Sequence, residues 1–379
     1  MLKQPPPKNS GLLAVVKGLP VRPLHYCWRV IVSECCYLLG KPALRARLKA
    51  QPEDFKVVED LGYEFAGEGE HVMVYVRKTG CNTKFVAEKL AQFAGIPARN
   101  VAYAGLKDRN AVTEQWFGLH IPGKVTPDFS QFALEGCEVV QVVRHNRKVR
   151  TGALRGNHFT LLLRDLTPDA ALEQRLQAIA ESGVPNYFGE QRFGRDGNNL
   201  QLALRWARGE VKIKDRNKRS FCLSAARSEL FNRIASARIE QGLQQQVLEG
   251  DALQLAGRNS WFVVTPEELA ASQQRLQERD VNITAPMVGD GELGSQGPAL
   301  ALEQAQLEGQ DDLLALLKRE RLEPARRALL VVPQELRWSW LDEGLQLQFF
   351  LPAGSYATSV VREIAIVDEE GDGHADSAE

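Results

Sequence analysis

The feature that most constrains the fold of this chain is a change of periodicity along it. From about residue 43 to residue 182, short runs of alternating or β-branched residues are separated by segments with helical spacing. Residues 183–332 then have mostly helical spacing, and strand-like alternation returns only at 345–364. A chain that leaves a strand pattern and later returns to it is explained most simply by an α/β domain interrupted by an α-rich insertion.

The length of 379 residues also favours more than one domain, because single domains usually have about 100–200 residues. The proline-rich start "MLKQPPPKNS" and the end "DEEGDGHADSAE", which has six acidic residues and no basic one, both lack the apolar content of a core. We therefore predict an extension outside the core at 1–38, an α/β domain formed by 39–182 and 333–367, an insertion at 183–332, and a disordered acidic tail at 368–379.

Individual elements are predicted from local patterns. "FKVVEDLGYEF" (55–65) and "EHVMVYVRKTG" (70–80) predict two strands paired through a turn, and "CNTKFVAEKLAQFAG" (81–95) predicts a helix capped by Asn82 or Thr83 and ended by Gly95. The remaining predicted elements are a strand at 158–166 and helices at 168–183, 220–241, 266–279 and 299–320.

The composition excludes several classes of protein. Six cysteines without a CxxC pair and six dispersed histidines without HExxH argue against a zinc site, a disulfide framework and a metalloprotease, and they suit a reducing cytoplasm. The longest apolar runs fall far short of the roughly 20 residues of a membrane span. Neither a GxxxxGK[ST] loop nor a GxSxG elbow occurs. The sequence therefore predicts no metal, no membrane association and no conventional hydrolase.

Basic residues concentrate in separate runs, although the formal net charge is only -1. "RHNRKVRTGALR" (144–155) has five basic residues and no acid, and "KIKDRNKR" (212–219) has five against one. A single run is usually a solvated face, but several runs interleaved with aromatic residues favour a nucleic acid. The candidates for contacts with an RNA backbone are Arg144, Arg147, Lys148, Arg150, Lys218 and Arg219.

The stretch "AGLKDRNAVTEQ" (104–115) places an aspartate, Asp108, in a predicted loop between a strand that ends near Ala104 and a strand through Trp116. In one interpretation Asp108 caps a turn and pairs with a neighbouring base. In the other it is a nucleophile or general base, partly desolvated yet kept ionised by Lys107, Arg109 or a base from elsewhere. Spacing alone leaves both interpretations open.

The same stretch resembles the GxKDxxAxTxQ signature of the TruD family of tRNA pseudouridine synthases. Six further blocks resemble the family in the same order, so that the likeness extends over about residues 38–367. These blocks are "QPEDFKVVED" (51–60), "GCNTKFVAEKLA" (80–91), "GNHFTL" (156–161), "VPNYFGEQRFG" (184–194), "RNKRSFCLSAARSELFN" (216–232) and "LPAGSYATSVVRE" (351–363).

The resemblance implies a pseudouridine-synthase-type catalytic domain with a mixed or antiparallel sheet, interrupted by the family's α-rich insertion domain. It implies isomerisation of uridine in tRNA, at position 13 in bacterial members, without a cofactor and with Asp108 as the nucleophile or base. Thr113 and Gln115 are expected to brace the loop, and the two basic runs to line a cleft for tRNA between the domains. The residues implied around a flipped-out uridine are Phe55, Asn157 and Tyr356, where bacterial members usually have phenylalanine, and Lys49 is implied close to Asp108. Phe159 is a further candidate because, like Phe55, its ring suits stacking with a base.

Two rival interpretations use the same sequence features. A non-catalytic RNA-binding or tRNA-folding protein could share the scaffold, with Asp108 in a structural role. A metal-dependent nuclease is disfavoured because no clustered set of Asp and Glu residues occurs. For the enzyme we expect tRNA as the partner, a monomer and a cytoplasmic location.

Overall fold

The structure is a computed structural model that describes residues 34–368. Within these residues it has sixteen β-strands and eight α-helices. The strands are β1 (Arg45–Arg47), β2 (Phe55–Asp60), β3 (His71–Lys78), β4 (Val101–Tyr103), β5 (Val112–His120), β6 (Cys137–His145), β7 (Gly156–Arg164), β8 (Val184–Pro185), β9 (Ala252–Leu255), β10 (Trp261–Val263), β11 (Val281–Met287), β12 (Ala325–Ala328), β13 (Leu330–Val331), β14 (Gln334–Leu341), β15 (Gly344–Pro352) and β16 (Ile366–Asp368). The helices are α1 (Thr83–Ala94), α2 (Ala170–Ser182), α3 (Asn198–Ala207), α4 (Arg216–Glu240), α5 (Leu269–Gln277), α6 (Gly297–Ala305), α7 (Asp311–Arg319) and α8 (Ala357–Ile364).

A ten-stranded mixed sheet forms the main module. Its central order is β14-β15-β7-β2-β5-β3-β6, with β4 beside β5, and β1 joining β7 to β16. Neighbours are antiparallel except for the pairs β2 with β5 and β1 with β16, which are parallel. The predicted mixed sheet is confirmed. The predicted pairing of the strands at 55–65 and 70–80 is wrong, because β5 lies between β2 and β3 and bonds to both.

Helices cover one face of this sheet in two separate places. Helix α1 packs over β3 and β5, since Val86 and Leu90 recur at helical spacing and are buried there. Its ends are as predicted: the Asn82 side chain accepts from the Phe85 N–H, and Gly95 is left-handed at φ 65°. Helices α2 and α8 pack over β2, β7 and β15. A strip of the same face lies between these two helical covers.

The second module contains more strands than its sequence suggested. Besides helices α3 to α7 it has a four-stranded sheet in the order β10-β9-β11-β12, so the prediction of an α-rich insertion overlooked this sheet. Its strands are three to seven residues long and their apolar runs are too short to stand out. The helix predicted at 299–320 is two helices, α6 and α7.

The two modules are joined by adjacent chain segments. Strand β8 enters the second module and β13 returns from it, and the two form an antiparallel ladder. The predicted boundary between the N-terminal extension and the α/β domain lies at residue 38. Near it, Cys35, Cys36 and Leu38 pack against the core of the second module, and Glu363 accepts from the Leu38 N–H at 3.2 Å. Residues 35–38 therefore belong to the folded core, contrary to the predicted extension. The rest of that extension and the tail from 369 lie outside the described residues.

The C-terminal part of the main module also differs from its prediction. Strand-like character was expected at 345–364, but strand β14 begins earlier and α8 occupies the end of this range. Helix α8 buries Val360, Val361 and Ile364 at helical spacing. Its β-branched residues resemble a strand locally, and their burial against β7 and β15 selects the helix.

Candidate active site

The loop that carries Asp108 is forced out of the main sheet. Strand β4 pairs with the second half of β5, from Phe117 to Leu119, and β2 pairs with the first half, from Val112 to Glu114. Both strands thus use the same edge of β5, so residues 104–111, which connect β4 to β5, do not pair with that edge. The loop crosses instead onto the face that holds Gln115, in the strip between α1 and α8.

Buried polar side chains hold this loop in place. The Gln115 amide donates to the Gly105 carbonyl at 3.1 Å, and the Thr83 hydroxyl accepts from the Lys107 N–H at 3.0 Å. Thr83 donates in turn to the Gln115 side-chain oxygen at 2.9 Å. Gln115 therefore braces the loop as expected. Thr113 does not, because its buried hydroxyl has no hydrogen-bond partner among the described residues.

Lys78 is the principal brace and was not foreseen. Its side chain lies under the loop, with 1% of its surface exposed, and its ammonium donates to the carbonyls of Cys81 (2.8 Å), Lys107 (3.4 Å) and Asp108 (3.3 Å). Burial lowers the pKa of Lys78 from 10.5 to about 8. The Lys78 ammonium thus loses its proton at a lower pH than that of an ordinary lysine, and it binds the main chain of Asp108.

The two bases next to Asp108 in sequence are turned away from it. Lys107 forms a buried ion pair with Glu59 at 3.0 Å, and Glu59 also accepts from the Trp116 N–H at 3.0 Å. Arg109 donates to the Gly80 carbonyl at 2.9 Å. These contacts fasten both sides of the loop and leave the Asp108 carboxylate to a cation from another segment.

That cation is Lys49, from the segment before β2. Its ammonium forms an ion pair with Asp108 Oδ2, while the Asn110 N–H donates to Oδ1 at 2.9 Å. Burial raises the pKa of Asp108, but the charge and hydrogen bond of Lys49, with the Asn110 N–H and the charge of Lys78, outweigh burial and hold it below the usual value. With 31% of its side chain exposed, the ionised carboxylate remains accessible.

An aromatic and polar wall adjoins this carboxylate. The Lys49 ammonium lies 4.5 Å from the centroid of the Phe55 ring, which contacts Phe159 edge-on at 6.1 Å. Phe159 stacks on Phe349 at 5.4 Å, and Phe55 and Phe159 are both buried, with 7% and 8% of their surfaces exposed. Asn157 follows on the same face of β7, and its buried side-chain oxygen has no donor among the described residues.

Tyr356 precedes α8, and the buried face of α8 packs on the core that contains Phe55 and Phe159. The Tyr356 hydroxyl, which phenylalanine would lack, accepts a hydrogen bond from Arg192. The ring contacts Phe188 with a centroid distance of 5.9 Å. The structure thus brings side chains from β2, β7 and the Asp108 loop to one strip of the sheet face, whereas the contacts of Tyr356 are with Phe188, Arg192 and Arg327.

A family model described as tRNA pseudouridine synthase D (TruD) matches residues 32–212 and 207–364. The chain belongs to the TruD family of tRNA pseudouridine synthases. It is therefore an isomerase that acts on uridine in tRNA. A crystal structure of a Methanosarcina mazei protein assigned to tRNA pseudouridine synthase D has the same fold: the TM-score is 0.70 at 22% identity, over 88% of this chain and 96% of that one.

The first basic run of this TruD protein has two different surroundings. Arg144 uses most of its donors within the protein, which gives it a structural role instead of the expected RNA contact. Its acceptors are the carbonyls of Gly69, Ile121, Gly123 and Val125 and the hydroxyl of Thr126. Arg147, Lys148 and Arg150 are exposed, and Val149 between them packs on the sheet face opposite α1 and α8.

The second basic run opens α4. Lys218 is exposed, whereas Arg219 forms an ion pair with Glu320 and lies 5.3 Å from the Trp206 ring centroid. This run lies near α8, because Ser224 on α4 accepts from the same Arg192 that binds Tyr356. The first run is therefore attached to the main sheet, on the face opposite α1 and α8, whereas the second run belongs to the second module.

The sequence of this TruD protein contains a signal for Glu59 and Lys78, the buried charged residues that hold the Asp108 loop. In "FKVVED" the inward residues alternate from Phe55 to Val57, which places Glu59 inward, and in "HVMVYVRK" the same alternation places Lys78 inward. A charged residue at an inward strand position predicts a buried partner.

Within residues 34–368 no group of three or more His, Cys, Asp and Glu could hold a metal ion, and no helix is long and apolar enough to cross a membrane.

Proposed function

We propose that this enzyme converts uridine 13 of tRNA to pseudouridine without a cofactor, using the Asp108 carboxylate on a flipped-out uridine. Family membership supports the reaction class. The observation that carries the residue assignment is the ion pair with Lys49, on a loop whose main chain is bound by Gln115, Thr83 and Lys78. A carboxylate that is ionised, partly exposed and fixed in position is suited to attack or to accept a proton.

The reaction itself needs no outside reactant. The bond between N1 and C1′ of the nucleotide breaks, a bond between C5 and C1′ forms, and the proton lost from C5 is balanced by one gained at N1. Reactant and product have the same atoms and oxidation level, so neither an oxidant nor a group donor enters. Asp108 could attack C1′, remove a proton from the sugar or add to the base, and each role requires the carboxylate in its ionised form.

The wall beside Asp108 offers a place for the flipped base. A base inside an RNA helix is out of reach of a carboxylate on a protein loop, so the uridine must leave its stack at a cost of a few kcal/mol. The Asn157 oxygen lacks a donor, and the N3–H of uracil would supply one. Tyr356 and the small exposed part of the Phe55 ring offer aromatic surface against which the uracil could lie. Phe159 contacts Phe55 from within the core.

Replacing Asp108 tests the assignment directly. Asp108→Asn keeps the shape of the side chain and removes its charge, and we expect pseudouridine formation on an unmodified tRNA transcript to fall by at least about 10³-fold. Asp128→Asn is the matched control, because Asp128 is exposed and bonds locally to Ser130. Substantial modification by Asp108→Asn would refute the nucleophile or base role and favour a non-catalytic role for this residue.

The position in tRNA is tested separately. Pseudouridine mapping of transcripts with uridine or cytidine at position 13 should show product only in the first, and modification elsewhere would refute the positional assignment.

A monomeric, cytoplasmic enzyme is part of the same proposal. Cys36, Cys81, Cys137 and Cys222 are free thiols, which supports a reducing compartment. Light scattering would test the monomer and cell fractionation the location.

A further inference from the structure

Three arginines of the second module, Arg192, Arg227 and Arg327, pair with no carboxylate in the described part of the chain. Arg192 donates to the hydroxyls of Ser224, at 3.0 Å, and Tyr356. Arg227 donates to two main-chain carbonyls, and its buried Nε has no acceptor. Arginines shielded from water usually have an anionic partner, so this group has positive charge without compensation.

Arg327 makes the imbalance larger. Its guanidinium lies 4.2 Å from the Phe188 ring centroid and donates to the carbonyls of Asn186, at 2.9 Å, and Gly354, at 2.8 Å. Burial, together with the nearby charge of Arg192, lowers the pKa of Arg327 to about 10, although Tyr356 acts in the opposite direction. Two like charges that repel each other in a half-buried place would both be stabilised by an anion between or beside them.

The same charge continues along one face of α4. Arg216, Ser220, Ser224 and Arg227 are spaced by four, four and three residues, so they share a helix face about 16 Å long. This face lines an open depression of about 410 Å³ whose apolar floor includes Leu223, Met287 and Leu322. Glu320 also lines the depression, but its carboxylate pairs with Arg219 and Arg319.

We propose that this α4 face, joined through Arg192 to Tyr356, is a subsite for the RNA strand next to the target uridine. Arginines and serine hydroxyls along α4 hold backbone phosphates, and the apolar floor receives the base or ribose of an unstacked neighbouring nucleotide. The inference rests on the proposed function, because Tyr356 belongs to the wall proposed for the uridine itself.

The chemistry of the surface selects this ligand. The planar guanidinium fork matches phosphate oxygens, and arginine is weakly hydrated compared with lysine, which suits a half-buried contact. A depression with an apolar floor and a basic rim fits an unstacked nucleotide, since single-stranded RNA is bound through both its bases and its phosphates. Direct contact from Ser224 to Arg192 to Tyr356 makes the surface continuous with the proposed uridine site.

The experiment measures how affinity for a fluorescent, unmodified tRNA transcript depends on salt. Arg192→Gln and Arg216→Gln should each reduce the slope of log affinity against log salt by about 0.7, and the double variant by about 1.4, as expected for lost phosphate contacts on a single strand. Arg216→Lys keeps the charge and should keep the slope. Arg216 is exposed, so its variants should retain the wild-type unfolding midpoint.

Arg208→Gln is the charge-matched control, since Arg208 lies in the same module in an exposed ion pair with Asp312. An unchanged slope in the double variant, or an equal loss in the control, would overturn the inference. A photo-crosslinking residue at position 220 should attach to nucleotides adjoining the target, and attachment only to distant nucleotides would also overturn it. A wild-type chain that binds RNA along α4 but forms no pseudouridine would refute the proposed function and leave the subsite standing.

Discussion

Raising the pH above 8 should reduce the activity of this enzyme while increasing its stability. Protonated Lys78 has three N–H donors, and they bind the carbonyls of Cys81, Lys107 and Asp108. The neutral amine has only two donors and no charge, so deprotonation releases one side of the loop and removes a cation near the Asp108 carboxylate. The Asp108 loop should therefore become more mobile over the pH range in which Lys78 is neutral. In the same range the folded chain no longer bears the cost of burying a charged amine.

The size of both effects follows from the pKa of Lys78, which is about 8 in the folded chain and 10.5 for an ordinary lysine. At pH 9 only about one tenth of the folded molecules retain the proton, so activity that depends on it should fall about tenfold. Between about pH 8 and 10.5 the unfolded chain binds more protons than the folded one, so stability rises with pH. From pH 7 to pH 9 this lysine alone adds about 1.3 kcal/mol to the free energy of unfolding.

The assay is single-turnover pseudouridine formation from about pH 7 to about pH 9, with urea unfolding at each pH. Lys78→Arg stays charged and should lose the decline above pH 8, whereas Lys78→Met should have at pH 7 roughly the activity of the wild type at pH 9. Cys81→Ala removes a neighbouring thiol and should keep the decline, and burial raises the pKa of nearby Cys137 to about 12, outside this range. An equal decline in wild type and Lys78→Arg would refute the role of Lys78.

Three further predictions concern the Asp108 ion pair, a buried ion pair and the glycine that ends α2. Lys49→Met should raise the pKa of Asp108, because burial is then less opposed, and should shift the acidic limb of the pH–activity profile to higher pH; an unshifted limb would exclude this role. Arg238→Met should lower the free energy of unfolding by about 3–5 kcal/mol in urea titrations, since it leaves Asp251 buried and unpaired; a loss below about 1 kcal/mol would contradict the argument. Gly183→Ala should destabilise the chain by more than about 1 kcal/mol, because φ is +77° and the added Cβ would meet a β13 carbonyl at 2.6 Å; thermal melts with an unchanged midpoint would disprove it.

The elements that were predicted correctly had strong local signals. Helix α1 has an asparagine cap, a regular apolar face and a terminal glycine, and each of these acts within a few residues of the chain. The strand, loop and strand around Asp108 were also predictable, because the glycine and polar residues of the loop interrupt two clear alternating runs. In both cases, interactions between residues close in the sequence determine the structure.

The errors arose where distant contacts decide the outcome. The neighbour of β2 is not its sequence successor β3 but β5, and nothing within residues 55–80 specifies that choice. The cation beside Asp108 could not be selected by spacing among Lys49, Lys107 and Arg109, since Glu59 attracts Lys107 across the sheet. The small sheet of the second module escaped notice because each strand is short and only their pairing buries them.

The shared edge of β5 has a consequence for which molecule must deform during the reaction. The Asp108 loop cannot shift along the sheet without displacing β2 or β4, and its main chain is bound on several sides, so the enzyme meets its substrate as a rigid template. The distortion that brings uridine and carboxylate together must then come mainly from the RNA. Among otherwise similar transcripts, those whose target nucleotide is already loosely stacked should react fastest.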